Sequence, residues 1–225
     1  MIVTVDSSSA SWQHEILGIR NRQPRRNGIC QSASQISCGK STTWKLGSPG
    51  NGNAYINLGD KNEVVAVDLK ARKVTARWSV APGGAPVGMA MDTKVRLLSI
   101  GGRNPQKLIV MSANDGKILA ALPIGAGVDA TKIDGDLAFA SCADGSLAVA
   151  SETSPGKFEI VQTVKTPAGA RTMGVDATTH MIYLPTSKSE AAAAGARPRS
   201  KPGTFMIVIA GRAHELSSVS WCGQR

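Results

Sequence analysis

Aromatic side chains are scarce, with three Phe, four Trp and two Tyr in 225 residues. This excludes a nucleic-acid surface built on stacked bases, which needs a series of aromatic platforms. The core must come from Val, Ile, Leu, Ala and Met instead. Histidine is scarcer: His14, His180 and His214 stand in unrelated contexts, and no Gly-x-Ser-x-Gly elbow accompanies them. His14-Glu15 has no second His four residues on, so the zinc-protease pattern fails. Cys30, Cys38, Cys142 and Cys222 lie 8, 104 and 80 residues apart with no Cys-x-x-Cys pair. That spacing excludes a zinc finger, and four cysteines are too few to staple a chain of this length, so they read as buried thiols. No apolar run approaches the ~18 residues of a membrane-spanning helix. The opening "MIVTVDSSSASW" has neither a basic start nor an apolar stretch of ~7–15 residues, so no signal peptide is read in the sequence as it stands.

Acidic charge is also short, 16 Asp and Glu against 26 Lys and Arg, for a net charge of +10. The excess is not evenly spread. Residues 1–52 carry +4, residues 53–187 only +2, and residues 188–225 another +4. Arg20, Arg22, Arg25 and Arg26 at one end and Arg197, Arg199 and Lys201 at the other therefore read as solvated basic flanks around a nearly neutral body. Nucleic acid is not an expected partner.

What the sequence does have is apolar content (42%), many turn residues (24 Gly, 11 Pro) and an internal repeat. "PVGMAMD" (86–92), "VDATKID" (128–134) and "RTMGVD" (171–176) each end in Asp, and Asp92, Asp134 and Asp176 are 42 residues apart. After each Asp come a turn and a short apolar run: "RLLSI" (96–100), "LAFAS" (137–141), "MIYLP" (181–185). A third run follows as "KLIVM" (107–111) and "SLAVA" (146–150), and a fourth as "KILAALPIG" (117–125) and "KFEIVQTV" (157–164). "NAYINL" (53–58), "EVVAVD" (63–68) and "KVTARWSV" (73–80) supply the same series upstream. The links are hairpin chemistry, such as "NDG", "ADG" and "SPG". Four short strands per ~40–45 residues form a sheet too small to bury both its faces until neighbours stack on it, which is the signature of a propeller blade. The sequence thus predicts an all-β, partial β-propeller of four-stranded antiparallel blades, with about three and a half to four blades over 53–211. Residues 187–203, "SKSEAAAAGARPRSKPG", read as an insertion between the second and third strands of the last blade. Residues 1–52 and the tail 212–225 carry no repeat and stay unassigned.

The stretch "AYINLGDKNEVVAVDLKARKVTARWSVAPGGAPVGMAMD" (54–92) resembles the YVTN-repeat, or YncE-like, β-propeller proteins. Tyr55-Ile56-Asn57 stands at the tyrosine motif, Val64 to Asp68 at the third strand, Lys73-Val74 at the fourth, and Gly84-Ala85-Pro86 at the lead-in to the next blade. Later blades depart from the pattern, with "LLSIGG" and "LAFASC" in place of the tyrosine motif and Tyr183 restoring it in part. The resemblance covers about 53–211. It implies a propeller that is usually seven-bladed, periplasmic or secreted, and without enzymatic activity. Seven blades of ~42 residues exceed this sequence, so a gene fragment is one expectation, and self-association through exposed terminal blades another.

Chemical motifs are few. "CGKST" (38–42) resembles the end of a phosphate loop, but Ser34 stands where the earlier Gly is required and no apolar strand precedes it. No catalytic residue, cofactor or metal site is assigned. The repeat places Val87, Asp129 and Arg171 at equivalent positions where successive inner strands begin. Asp129 and Arg171 are accordingly expected one blade apart on the channel rim, as a structural ion pair or as one acidic and one basic group offered to a small ligand. Asp92, Asp134 and Asp176 are expected to cap turns. A binding scaffold for a small molecule or protein is the leading functional expectation. The alternative is a propeller enzyme, either a lactonase-like hydrolase or a fragment of a quinoprotein dehydrogenase.

Overall fold

The structure, a computed structural model, describes residues 2–6, 46–47, 52–190 and 199–211. The expectations on Cys30, Cys38, Cys222, His14, His214, Arg20, Arg22, Arg25, Arg26, Arg197 and "CGKST" lie outside the described residues. Every regular element described is a β-strand, and the strands form four antiparallel sheets of four. Blade I comprises β2 (Leu46–Gly47), β3 (Asn53–Leu58), β4 (Glu63–Asp68) and β5 (Lys73–Ser79). Blade II comprises β6 (Pro86–Asp92), β7 (Leu97–Arg103), β8 (Gln106–Ser112) and β9 (Ile118–Pro123). Blade III comprises β10 (Val128–Asp134), β11 (Leu137–Cys142), β12 (Ser146–Ser154) and β13 (Lys157–Lys165). Blade IV is built from β14 (Gly174–Asp176), β15 (Met181–Ser189) and β16 (Ser200–Ala210). Its fourth place is taken by β1 (Ile2–Asp6), which pairs antiparallel with β16 from Ile2↔Ala210 to Asp6↔Met206. The beginning of the chain thus completes the last sheet.

Burial is greatest in the second and third strands of blades I to III and least in the fourth, and this explains the composition of each run. The third strands of blades II and III read "LIVM" and "LAVA" because neighbouring sheets cover both their faces, and a strand buried on both sides has no use for alternation; "VVAV" of blade I is likewise buried throughout. Fourth strands are exposed on one side, so β5 and β13 alternate half-buried and exposed positions. Inner strands of successive blades pack side by side, β2 on β6, β6 on β10 and β10 on β14. Three apolar layers fill the gaps. Tyr55, Val64, Leu98, Ile100 and Met111 lie between blades I and II. Leu108, Val128, Ala140 and Cys142 lie between II and III, and Phe139, Leu147, Ile182, Leu184 and Val208 between III and IV.

Close approach of the inner strands explains their small residues. A Cβ on Gly88 would come within 2.8 Å of the Thr131 backbone nitrogen of the next blade. The tyrosine motif also works between blades. Tyr55 donates its hydroxyl to the Ala113 carbonyl at 2.7 Å and stacks on Trp78. Buried Asn57 donates Nδ2 to the carbonyls of Val87 (3.1 Å) and Gly88 (3.2 Å). Ser141 repeats the second contact two layers on, its hydroxyl donating to the Arg171 carbonyl.

Two local readings of the sequence are corrected. The "RTMGVD" inner strand is regular only over Gly174–Asp176, while residues 171–173 belong to the lead-in. Part of the 187–203 segment is strand, since β15 runs on to Ser189, β16 begins at Ser200, and Ser189 pairs with Ser200.

Candidate functional site

The lead-ins to the inner strands share one end of the sheets with the turns between second and third strands. Hydrogen bonds between the two, such as Arg103 N to Ala85 O and Ala143 N to Gly127 O, tie that face together. The ladder slips between Pro86 and Gly88 and again between Val128 and Ala130. Val87 and Asp129, the positions equated by the 42-residue period, are therefore bulge residues. A bulge leaves its extra residue out of the ladder and re-aims its side chain.

Asp129 turns toward blade II. Arg103, the last residue of β7, places Nη2 2.8 Å from Asp129 Oδ1 and Nε 2.8 Å from the Val128 carbonyl, so one guanidinium fork grips carboxylate and backbone together. Thr172, from the lead-in to blade IV, donates Oγ1 to Asp129 Oδ2 at 3.4 Å. The cluster spans three blades. The structure thus pairs Asp129 with Arg103 of the preceding blade, where the period suggested Arg171 of the following one. The available signal was the position of Arg103, which closes a second strand and so falls on the same face as the bulge.

Arg171 is exposed and borders a different feature, a concavity of about 310 Å³ lined by Arg171, Thr186, Ser187, Ser189 and Ser200 with Ala143 and Gly169. Ser187 donates its hydroxyl to that of Ser200 at 2.8 Å across its floor. Among the described residues no carboxylate forms an ion pair with Arg171. Chemically the concavity offers a guanidinium beside several hydroxyls.

At the opposite end, the repeated Asp residues divide. Asp92 accepts from the N–H of Lys94 (2.8 Å) and Val95 (3.2 Å). Asp176 accepts from Thr178 N–H (2.9 Å) and Thr179 Oγ1 (2.8 Å), and these donors hold its carboxyl below the usual range. Asp134 does not cap its turn in this way. It lies 2.7 Å from Nδ1 of His180 in the next blade. Loop length is the reason. Four residues separate Asp92 from Leu97 and Asp176 from Met181, whereas Gly135 and Asp136 alone join Asp134 to Leu137. His180 and Arg96 close the two long loops, both with positive φ. Among the described residues no group of three or more His, Cys, Asp or Glu is arranged to hold a metal. Cys142 is buried between blades II and III, and desolvation pushes its thiol up to about 11.

Successive four-stranded antiparallel sheets packed inner strand to inner strand, with lead-ins and turns gathered at one end, define a partial β-propeller. Comparison with solved structures agrees. The chain is similar to hydrazine synthase of Kuenenia stuttgartiensis, with a TM-score of 0.57, 18% sequence identity and coverage of 67% of this chain. It spans 42% of the length of that protein, and at this identity the likeness concerns the fold alone. No protein-family model matches the sequence, and no curated protein matches it.

Proposed function

We propose that this chain is a non-enzymatic β-propeller binding scaffold of the YVTN-repeat, YncE-like type, working outside the cytoplasm and taking a small anionic ligand beside Arg171. One observation carries the reading. Arg103 and Thr172 already satisfy Asp129, while Arg171, one repeat further on, stands exposed at a hydroxyl-lined concavity. A guanidinium with hydroxyl neighbours suits a carboxylate or phosphate group, which accepts hydrogen bonds from both. In support of the family, Tyr55 and Asn57 of the tyrosine motif each bind the following blade. The test is calorimetric titration with inorganic phosphate and a set of small dicarboxylates. Saturable binding lost in Arg171→Ala but kept in Arg77→Ala is expected. No binding by any anion, or binding indifferent to Arg171, overturns the assignment.

A hydrolase is the second reading, favoured by the His180–Asp134 pair at the other end of the blades. Esterase or lactonase turnover abolished by His180→Ala or Asp134→Ala would establish it in place of the scaffold.

Self-association is the second partner assignment. The face of blade IV turned away from blade III carries Tyr183 (36% exposed) and Phe205 (50%), with Ile207 and Ile209 between them. The positions equivalent to Tyr183 in blades I and III, Tyr55 (2%) and Phe139 (7%), are covered by the next sheet. A second copy of the chain laid on this face would cover it in the same way. Light scattering is expected to give a dimer that Phe205→Lys dissociates, and a monomer at all concentrations would remove the assignment.

A further inference from the structure

The three layers between blades are built on one plan but filled differently. Strand register equates Tyr55 with Phe139, Val64 with Leu147, and Trp78 with Val164, since Val64 faces Trp78 and Leu147 faces Val164 across the third and fourth strands. On the opposing sheets it equates Leu98 with Ile182 and Met111 with Ala210. Between blades I and II the space is closed by the Tyr55 ring stacked on the Trp78 indole at 5.9 Å and by buried Met111. Between blades III and IV the indole has become Val164, the methionine has become Ala210, and the phenol has lost its hydroxyl as Phe139.

The missing volume is visible. A cleft of about 160 Å³ opens there, walled by Phe139, Leu147, Val149, Val164 and Ile182. Its rim carries Asp134, Asp136 and His180. Apolar cavities of about 150 Å³ accept a benzene-sized guest. His180 stands where Arg96 stands in the filled layer, and Arg96 Nη2 reaches Tyr55 Oη at 3.5 Å. The rim of the cleft thus keeps polar groups where the filled layer uses one to meet an aromatic hydroxyl.

We infer that this cleft is a binding site for a small planar aromatic molecule of indole size. The ring replaces the indole of Trp78, stacks on Phe139, and turns its polar edge to Asp134 and His180. The chain carries its own template for the ligand in the layer between blades I and II. This site lies at the opposite end of the sheets from Arg171 and does not depend on the anion assignment.

Titration calorimetry and thermal unfolding with indole as the probe test the inference. Wild-type protein is expected to bind one indole and to unfold at a higher temperature in its presence. Val164→Trp places the native side chain of the filled layer in the cleft and is expected to weaken indole binding at least tenfold. Ala210→Met occupies the cleft from the other wall and provides a second, smaller filling should the tryptophan fail to fold. Absence of saturable indole binding to the wild type overturns the inference. So does indole affinity within twofold of wild type in a folded filling variant.

Discussion

Asn57→Asp is the most informative single change, because it alters charge and hydrogen bonding without altering shape. Asn57 is fully buried, and its Nδ2 joins blade I to the carbonyls of Val87 and Gly88 in blade II. An ionised aspartate would point a carboxylate oxygen at two carbonyl oxygens in a fully buried layer. The carboxyl will therefore stay protonated in the folded state well above the ~3.9 of an unfolded Asp. Because the folded state holds the proton more tightly, the protein is most stable below about 3.9 and loses stability as pH rises, by about 1.4 kcal/mol per unit until the folded carboxyl ionises. Between pH ~4.5 and ~7 that amounts to roughly 3 kcal/mol. Asn57→Ala removes the same two bonds at a cost of about 1–3 kcal/mol with no added pH dependence, and serves as the control. Urea unfolding of wild type and both variants at the two pH values measures the difference. If Asn57→Asp follows Asn57→Ala at both pH values, or if both match the wild type, the inter-blade role of Asn57 is refuted.

Gly88→Ala places a methyl group against the backbone of Thr131, so it is expected to destabilise the protein by about 1–3 kcal/mol, whereas Gly156→Ala, at an open turn with positive φ, strains only its own backbone. Thermal unfolding that ranks Gly88→Ala as the milder of the two would contradict the packing between inner strands. Cys142 is expected to resist alkylation in the native protein and to react fully in denaturant. As its thiol titrates at about 11 when folded against 9.0 ordinarily, stability is expected to fall as pH rises through that interval, and Cys142→Ala should flatten the slope. Rapid native alkylation at neutral pH would show that the layer between blades II and III is open.

Much of this fold is legible in the order of the residues, because a blade is a local object. A hairpin needs only a turn residue at the right place and apolar runs on either side. The runs "PVGMAMD" and "VDATKID" became β6 and β10 with the bounds the repeat implies. The tyrosine motif also marks itself, although its purpose does not. Tyr55 and Asn57 could be read as strand residues, but their bonds to Ala113, Val87 and Gly88 cross between sheets.

The sites were less legible, for a related reason. Periodicity equates Val87, Asp129 and Arg171 but is silent on side-chain direction, which the bulge at Asp129 sets. Periodicity also treats Asp92, Asp134 and Asp176 alike, although the two-residue turn after Asp134 gives it a different partner in His180. Sequence alone determined the blade, since strand alternation, turn chemistry and a fixed repeat are properties of neighbouring residues. Tertiary structure alone decided what each blade meets: that β1 completes blade IV, that Arg103 reaches Asp129, and that the space taken by Trp78 in one layer is a cleft in another. Those facts depend on contacts between residues tens to hundreds of positions apart, and only packed sheets bring such residues within bonding distance.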